Sequence, residues 1–190
     1  MYTTLNYSQN FDEKKRKPNE IKFIIFHYTG MKKEIDAINR LTSFKSKVSS
    51  HYLVKNNGEI LTLVPDLYVA WHAGISFWKN FKFLNKNSIG IEISNPGHNN
   101  KYNKFSKKQI NSIIKLTKHL VKKYNIKSDF ILGHSDIAPD RKIDPGVYFP
   151  WEFLSKNSIG LWANNRLDDS ELSKENLKLF LKNLQKIGYP

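Results

Sequence analysis

The chain has 190 residues, 39% hydrophobic and 25% charged, which fits one globular domain with a real core. It contains no cysteine, which excludes disulfides, thiolate zinc fingers and cysteine nucleophiles, so any metal must be held by His, Asp or Glu. The net charge of +14 rests on 31 basic residues of which only four are Arg, the better fork for phosphate and base edges. With abundant Asn and Ile, that balance reads as codon bias in an AT-rich genome and argues against nucleic acid as a partner. No run approaches the ~18 apolar residues of a membrane span, and the first 18 residues lack the apolar middle of a secretory leader.

In chain order, residues 1–20 are polar and read as a loosely held lead-in. IKFIIFH, Ile21 to His27, reads as a buried strand with His27 at its C-terminal end. Residues 33–44 fit a short amphipathic helix through Ile35, Ile38 and Leu41. His51 to Lys55 and Glu59 to Val64 flank Asn-Asn-Gly, a hairpin signal. Residues 71–87 are irregular and aromatic. Ser88 to Ser94, SIGIEIS, alternates strictly, with three Ile on one face and Ser88, Gly90, Glu92 and Ser94 on the other. Ser106 and Gln109 form a capping box for a helix to Tyr124. DFILG, 129–133, is a short buried strand ending at His134, and Ser173 to Ile187 is a last amphipathic helix capped by Gly188. Alternating strands and helices with one hairpin predict an α/β domain, a mixed central sheet with helices on its faces.

Of six histidines, His119 falls on the solvent side of its helix, His98 lies in a turn, His51 opens a strand as a structural residue, and His72 sits in AWHAG beside a tryptophan. His27 and His134 differ, because each closes an apolar strand where α/β sheets carry their sites. Asp144 follows His134 by ten residues across the Pro-marked loop GHSDIAPDRKIDPG, long enough to fold back on it. Two imidazoles and a carboxylate are a recurring catalytic zinc shell, although loops of this length are common. Glu92 lies on the face opposite the three Ile, with Gly90 leaving open space beside it; it suits either a solvated face or a proton acceptor. Lys142, two residues before Asp144, suits either a surface position or an oxyanion donor.

Together the motifs FIIFHYTG, SSHYLV, AWHAG, NSIGIEI, GHSDIAPDRKIDPG and FPWEFL make residues 21–162 resemble the zinc-dependent N-acetylmuramoyl-L-alanine amidases of the amidase-2 type, nearest their AmiD-like branch. The resemblance implies the α/β fold shared with peptidoglycan-recognition domains. It implies one zinc ion per chain on His27, His134 and Asp144, with Glu92 and Lys142 as the catalytic pair. It implies hydrolysis of the amide between N-acetylmuramic acid and L-alanine in peptidoglycan or muropeptides by a monomer. Trp71, His72 and Trp78 are weaker candidates for shaping a substrate groove. The rival reading is a binding module of the same fold without catalysis. The AmiD-like resemblance favours the cell envelope, while the absence of a visible leader favours the cytoplasm. The expected organisation is a lead-in over 1–20, the catalytic domain over 21–165, and a linker and helix over 166–190. That helix either completes the fold or begins a shortened peptidoglycan-binding domain.

Overall fold

In a computed structural model, residues 3–163 and 174–189 are described. The strands are β1 (Thr4–Leu5), β2 (Phe11–Asp12), β3 (Phe23–Tyr28), β4 (Tyr52–Val54), β5 (Ile60–Thr62), β6 (Val69–Ala70), β7 (Phe77–Trp78), β8 (Phe81–Lys82), β9 (Ser88–Ile93) and β10 (Ile131–Gly133). The α-helices are α1 (Glu34–Thr42), α2 (Lys107–Tyr124), α3 (His134–Ile137), α4 (Trp151–Ser155) and α5 (Lys174–Ile187). Six strands form one mixed sheet in the order β1-β5-β4-β9-β3-β10, in which only β4 and β5 are antiparallel neighbours.

The alternation read from SIGIEIS decides the two faces of this sheet. Ile89, Ile91 and Ile93 join Ile24 and Phe26 of β3 beneath Ile113, Leu116, Leu120 and Tyr124 of α2. Each such side chain removed from water contributes about 1.5–3 kcal/mol. The helix begins where expected: Ser106 Oγ accepts from Gln109 N–H at 3.2 Å, and Gln109 Oε1 accepts from Ser106 N–H at 2.9 Å. Phe23 and Ile25 point to the other face and pack with Ala73, Trp78, Leu84, Leu132 and Ile137. Farther along that sheet, Leu41 of α1 meets Leu53, Leu61 and Leu63.

The hairpin closes through Gly58, whose φ of +85° suits glycine; a Cβ there would lie 2.8 Å from the Lys108 carbonyl. Three expectations need correction. Residues 3–20 are not a loose arm. β1 pairs with β5 and β2 with β6, Asn10 Nδ2 donates to the carbonyls of Ser43 and Val48, and Arg16 is buried. Ile35 is 55% exposed, while α1 buries Leu41 as expected, together with Ala37. The segment after Gly133, read as wholly irregular, opens with the helical turn α3, in which Asp136 Oδ2 accepts from Gly133 N–H at 2.7 Å.

The C-terminal helix forms, over Lys174–Ile187 among the described residues. Its end is tied to the domain: Lys79 N–H donates to Gly188 O at 2.8 Å, Tyr189 OH donates to Asp136 Oδ1 at 2.7 Å, and the Tyr189 ring meets Trp78 edge-on. Leu177, Phe180, Leu181 and Ile187 remain exposed. The linker expected over 166–173 lies outside the described residues.

Candidate metal centre

The parallel pairing of β9, β3 and β10 brings the chemically able residues together. His27 is in register with Glu92, and β10 delivers His134 at its end, one residue after Gly133 pairs with Phe26. All three therefore sit at the carboxyl ends of neighbouring parallel strands, on the face opposite α2. Asp144 returns to them because its loop is fastened twice. Ser135 N–H donates to Asp144 O at 2.9 Å, and Tyr102 OH donates to Pro145 O at 2.7 Å.

His27 Nδ1, His134 Nδ1 and Asp144 Oδ2 form a nearly equilateral triangle with sides of 2.9, 3.1 and 3.2 Å. All three residues are buried. Metal–ligand bonds of about 2.0–2.1 Å in tetrahedral geometry place ligand atoms roughly 3.3 Å apart, so the triangle has the right size. The far sides of the rings fit as well. His134 Nε2 lies 3.1 Å from the Ala73 carbonyl, and His27 Nε2 lies 3.0 Å from His72 Nδ1. A carbonyl only accepts, so His134 carries its proton on Nε2 and turns a bare Nδ1 lone pair into the triangle. Burial, then the neighbouring His134, lowers the His27 pKa to about 4, which keeps that imidazole neutral. Two imidazoles and a carboxylate make a donor set suited to zinc. Among the described residues this is the one group of three or more His and acidic side chains close enough to share an ion.

The triangle opens into a cavity of about 500 Å³ that is also lined by Glu92, Lys142, Arg40, Arg141, Trp71 and His72. Glu92 Oε2 is sealed from solvent and has no hydrogen-bond partner among the described residues. Burial, then the charge of Asp144, raises its pKa to about 8, against the opposing pull of Lys142 and Arg40. Glu92 is thereby a carboxyl group able to exchange a proton near neutrality.

Of the residues singled out in the sequence, His27, His134, Asp144, Glu92, Lys142, Trp71 and His72 meet at this cavity. Trp71 is steadied by donation from Nε1 to Asp12 Oδ1 at 2.7 Å. Trp78 does not meet them. It is 2% exposed and packs under Tyr189, because alternation in the short strand β7 turns it into the core. Both ring nitrogens of His72 are engaged within the protein, so its hydrogen bonds serve the centre and not a groove. Gly90 does not leave open space, since the His72 ring lies over it. Arg40 and Ser88 were not singled out. Arg40 lies five residues after the exposed Ile35 in α1, and Ser88 differs from Ser94 in no local signal.

A mixed sheet with two histidines at its strand ends, an aspartate brought to them by a loop, and a half-buried glutamate whose sealed oxygen has no partner among the described residues defines an α/β domain with a candidate metal centre. Residues 17–147 match the family model Amidase_2, N-acetylmuramoyl-L-alanine amidase, and the chain belongs to that family. It is 41% identical over 156 residues to the N-acetylmuramoyl-L-alanine amidase AmiD of Escherichia coli, a match covering 76% of this chain and 55% of the relative. The chain thus spans about half the length of that relative. It is 34% identical to the 1,6-anhydro-N-acetylmuramyl-L-alanine amidase AmpD of Haemophilus influenzae, covering 76% of this chain and 86% of the relative. In structure it resembles E. coli AmiD in complex with the substrate anhydro-N-acetylmuramic acid-L-Ala-D-γ-Glu-L-Lys, with a TM-score of 0.79, 33% identity, and coverage of 96% and 81% of the two chains. AmpDh3 of Pseudomonas aeruginosa also matches with a TM-score of 0.79, at 28% identity, covering all of this chain and 82% of its own.

Proposed function

We propose that the chain is a zinc-dependent N-acetylmuramoyl-L-alanine amidase that hydrolyses the amide joining the lactyl group of N-acetylmuramic acid to L-alanine. The carrying observation is the triangle of His27 Nδ1, His134 Nδ1 and Asp144 Oδ2 with the unpartnered Glu92 carboxylate beside it. When bound, zinc supplies Lewis-acid polarisation of the scissile carbonyl and brings the ionisation of water near neutrality. His27, His134 and Asp144 hold the ion and leave one side facing the cavity. Glu92 takes a proton from the attacking water and returns it to the alanine nitrogen. Lys142, on the cavity wall, donates to the carbonyl oxygen as it gains negative charge. Water oxygen adds to the carbonyl carbon, the carbon–nitrogen bond breaks, and the products are a lactyl carboxylate and a free alanine amine.

The same residues favour catalysis over a purely binding module, because a module that only binds has no use for a glutamate oxygen sealed from solvent without a partner among the described residues. The proposed substrate is a muropeptide or peptidoglycan, met by a monomer at the cell envelope. None of the described helices is long and apolar enough to cross a membrane. The test is incubation of the zinc-loaded chain with soluble anhydro-muropeptide and with intact sacculi, with products identified by mass. Release of free stem peptide is expected; intact substrates in both incubations would overturn the reading.

A further inference from the structure

We infer that His72 and Ser88 are positioning residues that decide which ring nitrogen of His27 carries the proton, and so hold its Nδ1 free for a cation. The inference rests on the metal reading above and on hydrogen-bond directions. It starts at the Leu84 carbonyl, which only accepts. Ser88 Oγ lies 2.6 Å from it and spends its single proton there. Ser88 Oγ must then accept from its other close partner, His72 Nε2, at 3.0 Å. His72 Nε2 holds its proton toward Ser88 and no carboxylate is in hydrogen-bond contact to hold a second one, so its Nδ1 is an acceptor. The neighbour at 3.0 Å, His27 Nε2, must donate to it. A neutral imidazole has one proton, which leaves His27 Nδ1 bare.

The second ligand is set in the same way by the next residue, since His134 Nε2 donates to the Ala73 carbonyl. AWHAG therefore orients both imidazoles, one through a ring and one through a backbone carbonyl. The segment is itself clamped. Asn85 Oδ1 accepts from the N–H groups of His72 and Ala73 at 3.1 and 2.7 Å, and Trp71 N–H donates to Ser49 Oγ at 2.9 Å. Arg141 Nη2 donates to Ala73 O at 2.7 Å. Room for the His72 ring exists because strand β9 has no side chain at Gly90, where a Cβ would lie 2.4 Å from His72 Cγ. The result is two imidazole lone pairs 2.9 Å apart that both face Asp144 Oδ2, at 3.1 and 3.2 Å, an arrangement of three acceptors that a positive charge in the triangle relieves.

The test uses metal-free chain with nitrogen-15 labelled histidine to read tautomers by NMR, and zinc titration against a chelator to read affinity. Both His27 and His72 are expected as Nε2–H tautomers in the unmodified chain. Ser88→Ala should shift both toward a mixture and weaken zinc. His72→Ala should weaken zinc by about 10–100-fold, the range for lost outer partners of a ligand. His72→Asn, which keeps an acceptor where Nδ1 was, should recover most of that loss. Unchanged tautomers in Ser88→Ala, or equal losses in His72→Ala and His72→Asn, would overturn the inference and leave only a packing role. If the unmodified chain binds no zinc, the metal reading fails, while the tautomers still decide the relay.

Discussion

Two buried aspartates lie on either side of this domain, and their surroundings are opposite. Asp66 receives Tyr52 OH at 2.5 Å, Tyr124 OH at 2.6 Å and Lys123 Nζ at 2.8 Å, while Arg16 holds the Asp66 carbonyl. Its donors are permanent members of the fold, and the cluster ties the N-terminal segment and β4 to α2. Asp144 is just as buried, yet its close partners are two imidazole nitrogens turned lone pair first, and the nearby Glu92 has an oxygen with no partner at all. The difference separates a carboxylate that holds a structure from one that awaits a charge. A fold that already supplies every donor leaves nothing for a ligand; a fold that buries acceptors against one another is completed only by a cation or a reacting proton.

The largest effect that would sharpen this contrast is catalytic. Glu92→Gln should retain zinc and lose about 10²–10⁴-fold in turnover, measured on soluble muropeptide; unchanged turnover would remove Glu92 from the reaction. The same variant has a stability signature in the metal-free chain. Burial raises the folded pKa of Glu92 to about 8 from 4.5, so the stability of its protonated form is complete below 4.5 and is lost as pH rises through 8. Melting temperatures of Glu92→Gln and the parent should therefore agree near pH 4 and separate above pH 8, with the variant higher.

Asp66→Asn is next. It leaves three donors facing a weaker acceptor, and should cost on the order of 2–4 kcal/mol by denaturant unfolding while zinc stoichiometry stays at the parent value. A parallel loss of zinc would break the separation of the two regions. Gly90→Ala should act the other way, displacing the His72 ring and weakening zinc by about tenfold with a smaller loss of stability. The smallest effect is Tyr189→Phe, which removes the bond to Asp136 Oδ1 and should cost about 1 kcal/mol with zinc affinity unchanged.

The sheet and its long helix were legible because their information is local. SIGIEIS states its two faces by alternation, and Ser106 with Gln109 states where α2 begins. His27 and His134 were legible as a pair of strand-end histidines for a related reason, since each closes an apolar run. The Asp66 cluster was not, because Arg16, Tyr52, Lys123 and Tyr124 come from four separate stretches and no one of them carries a pattern. Ser88 was hidden similarly: its role depends on a ring delivered by an irregular segment 16 residues away. Trp78 was misread because an aromatic beside AWHAG looks the same in sequence whether its short strand turns it toward the cavity or beneath Tyr189. The N-terminal segment, polar throughout, gave no sign that backbone pairing with β5 and β6 would hold it.

The central claim is that His27, His134 and Asp144 together hold one catalytic metal ion. Zinc content per chain, measured by mass spectrometry of the metal on purified parent, His27→Ala, His134→Ala and Asp144→Ala proteins after equal zinc loading and desalting, tests it most directly. The account predicts one zinc in the parent and a sharp loss in each variant, with activity lost in parallel. Parent-level zinc in both His27→Ala and His134→Ala would contradict it.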